Sequence, residues 1–220
     1  MVKKLATNVF ARLDKAKQRK VLEAAVREFS ENGYNNASMN KLTISAGISK
    51  GSIFQYFRNK KGLFDFVISS ATKKVKKHLS SIIQQSLDAD FFEILEILLR
   101  SGFQFIDKHP YLAKIYYQVL LTGDAPAGYN VSTGLNRKAQ DFLKKQIIIG
   151  IENGDIRPGI NPAKTAFILD SVFSRLLSAY YSEFIAPDLD LYKADKANLD
   201  NWIDGAISLI KLGLEGKERG

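Results

Sequence analysis

The stretch Ser-Met-Asn-Lys-Leu-Thr-Ile-Ser-Ala-Gly-Ile-Ser-Lys-Gly-Ser-Ile-Phe-Gln-Tyr-Phe, residues 38–57, decides the fold. It reads as two short helices joined by a tight turn. Ser38 is placed to cap the first helix, and Gly47 ends it where a left-handed residue is needed. Ser49 caps the second, which turns Ile53, Phe54 and Phe57 into a core on one face. The opposite face presents Gly51, Ser52 and Gln55, with Lys50 at its start and Tyr56 on the flank. Small, polar and basic side chains on an outward helix suit the major groove, where the N-terminal half of a recognition helix meets base edges. The pattern is that of a DNA-binding helix-turn-helix.

The charge sits where this reading needs it. The chain carries 32 Lys and Arg against 23 Asp and Glu, a net charge of +9. Residues 1–67 hold 13 basic and 5 acidic side chains, so +8 belongs to the segment with the motif and +1 to the remaining 153 residues. Phosphate neutralisation with counterion release requires that local concentration. A solvated basic face serving solubility would also be charged, but would have no reason to coincide with the motif.

At 220 residues the chain is long enough for one large or two modest domains with a substantial core. It has no cysteine, which excludes disulfides and thiolate metal sites and fits a reducing compartment. The first dozen residues lack the apolar run of a signal peptide, and no stretch approaches the roughly 18 apolar residues of a membrane span, so a cytoplasmic protein is expected.

Helical periodicity runs through nearly the whole chain, predicting an all-α protein of about nine helices and no sheet. A basic flexible tail is expected over 1–14, with Lys3, Lys4 and Arg12. A helix over 15–32 carries Val21, Leu22, Ala25 and Phe29 and stops at Gly33. Asn59 caps a long helix to about residue 80. Others are read over about 90–108, over 111–121 behind Pro110, to Asn153 before Gly154, from Asn161-Pro162 to 184, and over 198–214. Residues 122–129, with Gly123, Pro126 and Gly128, form the clearest loop.

These residues together resemble the tetracycline-repressor (TetR) family. The likeness lies in Val21-Leu22-Glu23-Ala24-Ala25, Phe29, Asn32-Gly33-Tyr34 and Ala37-Ser38. It continues through Leu42, Ala46-Gly47-Ile48-Ser49-Lys50-Gly51, Ile53, Gln55-Tyr56-Phe57 and Asn59-Lys60, about 50 residues in the family's order. The resemblance implies a helix-turn-helix DNA-binding domain over 15–67 and a helical effector-binding and dimerisation domain over 68–220. It also implies a homodimer on a palindromic operator, acting as a repressor released by an effector. Four positions depart from the pattern. Thr43 stands for Ala, Ile44 for a polar residue and Phe54 for Tyr, which removes a phosphate-reaching hydroxyl. Gly62 stands for Glu, at a cost in helix propensity of about 1 kcal/mol against Ala.

Site residues follow from chemistry and family together. Lys50, Ser52 and Gln55 are expected at base edges, since Lys donates to guanine and Gln pairs with adenine. Gly51 permits close backbone approach, Ser38 shares its cap with a phosphate, and Tyr56 and Lys60 match family phosphate contacts. Phe103, Tyr116, Tyr117, Phe142 and Phe173 are expected to line a pocket for a small apolar or aromatic effector. Phe173, Leu176, Leu177, Tyr180, Trp202, Ile203, Ile207 and Ile210 are expected at the dimer interface, on two helices apolar around most of their circumference. His78 and His109 are the only histidines, so neither a nucleophile–His pair nor a multi-His metal site assembles, and no cofactor, metal or enzymatic activity is expected. A helical lipid- or small-molecule-binding protein without DNA function is the alternative; it leaves the turn motif unexplained.

Overall fold

The structure, a computed structural model, describes residues 6–84, 89–129 and 135–215. Ten α-helices lie among them: α1 (Asn8–Ala11), α2 (Lys15–Asn36), α3 (Met39–Ala46), α4 (Lys50–Phe57), α5 (Lys60–Gln84), α6 (Phe91–Lys108), α7 (Pro110–Thr122), α8 (Leu135–Asn153), α9 (Pro162–Tyr181) and α10 (Lys196–Leu214). The described residues contain no strand, only an isolated bridge between Ile156 and Glu215. The chain forms two compact units, residues 6–76 with His109–Tyr129, and Lys77–Lys108 with 135–215.

In the first unit, side chains at helical spacing fill one core: Val21, Ala25 and Phe29 from α2, Leu42 and Ala46 from α3, Ile53 and Phe57 from α4, Leu63, Phe64 and Val67 from α5. Fully burying each large member contributes roughly 1.5–3 kcal/mol. The sequence expectation placed a domain boundary near residue 67. In addition, α7 and the loop after it pack with the N-terminal helices, and a break in α2 supplies hydrogen bonds to them. Gly33 has φ 69° and ψ −178°, a conformation open essentially to glycine alone. The break frees the Tyr34 and Asn35 N–H groups, and both donate to the Asp124 carboxylate, at 3.0 and 2.9 Å. It also leaves the Ser30 carbonyl without its usual partner four residues on; Gln118 Nε2 of α7 donates to it at 3.2 Å. Asp124→Ala leaves two backbone donors unmet, so a loss of about 2 kcal/mol is expected in urea unfolding.

Two further differences from the sequence expectation have clear causes. Residues 7–13 are ordered against the head rather than forming a free tail, because Phe10 is buried against Tyr56, Phe57 and Phe66. Lys3 and Lys4 lie outside the described residues. Gly62, read as a helix-propensity deficit, is a close-approach site, since a Cβ there would lie 2.3 Å from the Phe57 carbonyl oxygen. That carbonyl already accepts from Asn59 N across Arg58 (φ 66°, ψ −47°), a tight, strained γ-turn. Gly62→Ala is therefore expected to lower stability by about 1–3 kcal/mol despite its better propensity, measured by thermal unfolding.

In the second unit a reciprocal cap between Asp90 and Glu93 starts α6. From there Phe91, Phe92, Leu95, Leu99, Phe103 and Ile106 face Leu143 and Ile147 of α8, Leu169 and Phe173 of α9, and Ile203 of α10 in one core. A Cβ at Gly102 would lie 2.7 Å from Leu177 Cδ2, so the Leu177 side chain rests directly on the α6 backbone there. Tyr180 stacks edge-on against Phe103 and donates its hydroxyl to Asp107; burial first, then that bond, pushes its phenol up to about 12. Arg100 pairs with Glu96 and with Asp200, joining α6 to α10.

Candidate nucleic-acid interface

The geometry of the reading head starts from its caps. Ser38 Oγ accepts from Lys41 N and Ser49 Oγ from Ser52 N, so both helices of the motif begin where the sequence places them. Gly47, at φ 65°, closes α3, with its own N–H on Ile44 O and the Ile48 N–H on Thr43 O. A buried Glu28 carboxylate accepts from Ser38 N at 2.7 Å and from Asn32, fixing the corner where α2 hands over to α3.

On this frame Lys50, Gly51 and Gln55 are exposed on one side of α4, and Ser52 is half-buried with its hydroxyl on Ser49 Oγ at 2.8 Å. A Cβ at Gly51 would meet only Ser49 Oγ, at 3.9 Å, so the absent side chain leaves open surface for an incoming partner. Ser38 is half-buried at the start of α3. The unpaired N–H groups of the first turn of α4, with the Lys50 side chain beside them, form an anion-favouring end.

Three residues are placed differently from expectation. Tyr56, expected on the flank, is only 6% exposed, its ring packed against Phe10 and Phe57 in the core. Phe54, expected in the core, is 39% exposed, because Ile53 and Phe57 already fill the inward face. Lys60 Nζ donates to the Asn35 and Ala37 carbonyls at 2.9 and 3.1 Å and lies 5.0 Å over the Tyr34 ring. Its ammonium thus closes the C-terminal end of α2, leaving one N–H for another partner. The sequence reading also missed that Ile44, 80% exposed, adds an apolar side chain to the outward surface of the motif. Its signal was already present, as an apolar residue where the family pattern has a polar one.

The effector candidates are divided between the two units. Phe103 and Phe173 are buried and Phe142 half-buried in the second; Tyr116 is half-buried and Tyr117 buried in the first, edge-on to each other at 5.1 Å. The interface candidates need correction. Ile203 is 1% exposed and Phe173 and Tyr180 are also buried, so these three serve their own subunit's core, while Leu177 is half-buried against Gly102. Leu176, Trp202, Ile207 and Ile210 are half-buried. The apolar residues that α9 and α10 leave exposed are Phe167, Ile168, Leu209 and Leu212. Among the described residues there is no grouping of three His, Asp or Glu that could hold a metal, and no helix long and apolar enough to cross a membrane.

A capped helix-turn-helix with an outward helix of small, polar and basic residues, on a segment carrying nearly all the net charge, defines a DNA-binding protein. Comparison with known proteins gives its family. Residues 21–67 match the tetR family of bacterial regulatory proteins, and residues 89–215 match the tetracyclin repressor-like C-terminal domain. The chain belongs to the TetR family and is a transcriptional regulator. It is 29% identical over 157 residues to the HTH-type transcriptional regulator YhgD of Bacillus subtilis, covering 71% of this chain and 80% of that one. It is 24% identical over 194 residues to the probable acrEF/envCD operon repressor of Escherichia coli, covering 84% of each. Its fold is similar to that of AibR, solved in complex with isovaleryl coenzyme A and operator DNA, with a TM-score of 0.61, 19% identity and 88% and 97% of the two chains covered.

Proposed function

We propose that the protein is a repressor that binds a palindromic operator as a homodimer in the cytoplasm and leaves it when a small apolar or acyl-bearing effector binds. The observation that carries the reading is the exposed face of α4, held by filled caps on a head of net charge +8. Lys50, Ser52 and Gln55 read base edges, Gly51 admits the backbone, and Ile44 and Phe54 supply apolar contacts of the kind thymine methyl groups accept. Ser38 and the first turn of α4 bind phosphates, and Lys60 offers its remaining N–H.

The operator reading is supported by the likeness to AibR, which was solved with operator DNA, and the repressor reading by the operon repressor of Escherichia coli. The isovaleryl coenzyme A of AibR and the aromatic, near-neutral second unit favour an effector with an apolar part. Phe103, Phe142 and Phe173 are the residues proposed to meet it, and Tyr116 and Tyr117 to follow its binding. Only a ligand that prefers a state with mis-spaced heads lowers operator affinity, and operator must weaken its binding by the same factor.

A gel shift with DNA upstream of the protein's own gene tests the reading, followed by a screen of acyl thioesters and flat aromatic compounds for release. A specific shift reversed by a compound class is the expected result. A protein that retards specific and random duplexes alike contradicts it.

A further inference from the structure

The last four carbonyls of any α-helix lack partners within it. In α4 all four are nevertheless filled. Phe54 O accepts from Arg58 N at 2.8 Å and Phe57 O from Asn59 N at 2.7 Å, both local. The other two are reached from far along the chain, by a single residue. Thr7 Oγ1 donates to Gln55 O at 3.0 Å, and Thr7 N donates to Tyr56 O at 2.9 Å. Three residues on, Phe10 holds this strap in place, its ring centroid 5.7 Å from Tyr56, 4.8 Å from Phe57 and 5.2 Å from Phe66. The strap is itself hydrogen-bonded at both ends. Thr7 caps α1, and Gln18 Nε2 closes its far end by donating to the Ala11 and Leu13 carbonyls.

The carbonyl that the Thr7 hydroxyl holds belongs to Gln55, whose side chain is exposed on the outward face of α4. A glutamine pairs with a base edge through two hydrogen bonds at once, so it discriminates only if its backbone is fixed. We propose that Thr7 and Phe10 are positioning residues for sequence reading: they pin the last turn of the recognition helix and thereby aim Gln55. This rests on the reading of α4 as the DNA-reading helix. Neither residue adds charge, so their contribution is to sequence discrimination and not to phosphate attraction.

The test uses the full chain and a duplex enriched from a random-sequence library by the wild-type protein, with single-base variants and a scrambled duplex of equal length. Thr7→Val keeps the shape and the backbone N–H but loses the hydroxyl donor. The expected result is about a tenfold loss on the enriched duplex, concentrated at the base positions that Gln55→Ala also relaxes. Affinity for the scrambled duplex and the salt slope stay as in the wild type, and Thr7→Ser restores discrimination. Phe10→Leu, which keeps an apolar filling but loosens the strap, shifts discrimination the same way if Thr7→Val does not fold. Full discrimination in a folded Thr7→Val, even one with a lowered melting temperature, overturns the inference. So does an equal loss on enriched and scrambled DNA. A wild-type protein that enriches no sequence refutes instead the underlying assignment of α4.

Discussion

Raising monovalent salt from 50 to 200 mM is expected to lower operator affinity by about 10³- to 10⁵-fold if the dimer contacts six to ten phosphates. The magnitude follows from where the charge is. With 13 basic and 5 acidic residues in 1–67, most of the attraction comes from the head, and each neutralised phosphate adds about 0.9 to the slope of log affinity against log salt. Lys50→Ala removes one cation from each subunit, so it should reduce that slope by about 2 and weaken all sequences, with a further loss at one base position per half-site if the ammonium also meets a guanine. Gln55→Ala should leave the slope unchanged and relax preference at one position per half-site. Titrations at four salt concentrations with operator and random duplexes separate the two effects.

A second large effect is expected at the surface left apolar by α9 and α10. Phe167 and Ile168 are 61% and 58% exposed, Leu209 and Leu212 74% and 82%. These are large side chains for which the subunit itself offers no cover, and a two-fold interface presents each of them twice. Phe167→Glu combined with Leu209→Glu would place four unpaired carboxylates in such a contact. The dimer dissociation constant is expected to rise at least about a hundredfold, roughly 3 kcal/mol, since an uncompensated buried charge costs about that much or more. Operator affinity should collapse with it, because the second half-site is no longer held at high effective concentration. Each subunit should stay folded, as both positions are exposed. Sedimentation and circular dichroism together check this; an unchanged dimer would move the interface off this face.

The parts of the fold that were legible in the sequence are those written in local chemistry. Ser38, Gly47, Ser49, Pro110 and Asn161 each act within a turn or two of themselves, and all sit at the helix ends where they were expected. What could not be read locally depends on long-range partners. A four-residue helix such as α1 has too few residues for a period, and its order comes from Phe10 meeting α4 and α5. Gly33 looked like a stop, but α2 resumes beyond it because Asp124, some 90 residues on, takes the freed N–H groups. Gly62 looked like a weak helix former until the Phe57 carbonyl was seen to lie against it.

The same limit explains the site residues that moved. The helical period puts Phe54 in the apolar stripe and Tyr56 on its flank, yet which ring turns inward depends on a distant partner: Phe10 covers Tyr56 and leaves Phe54 outside. Helices apolar on two sides, like α9 and α10, carry two stripes, and sequence alone does not say which is the subunit's own. Leu177 against Gly102, with Ile203 fully buried, identifies the inner stripe.

The central claim is that α4 of a dimer reads a palindrome, and selection of bound duplexes from a random library by the wild-type protein and by Gln55→Ala tests it most directly. The predicted result is an enriched inverted repeat whose half-sites are centred about one helical turn apart, roughly 34–36 Å, or a multiple of it. In the Gln55→Ala pool one symmetric pair of positions loses its preference while the rest of the repeat persists. Enrichment of no sequence, or of one lacking two-fold symmetry, would contradict it.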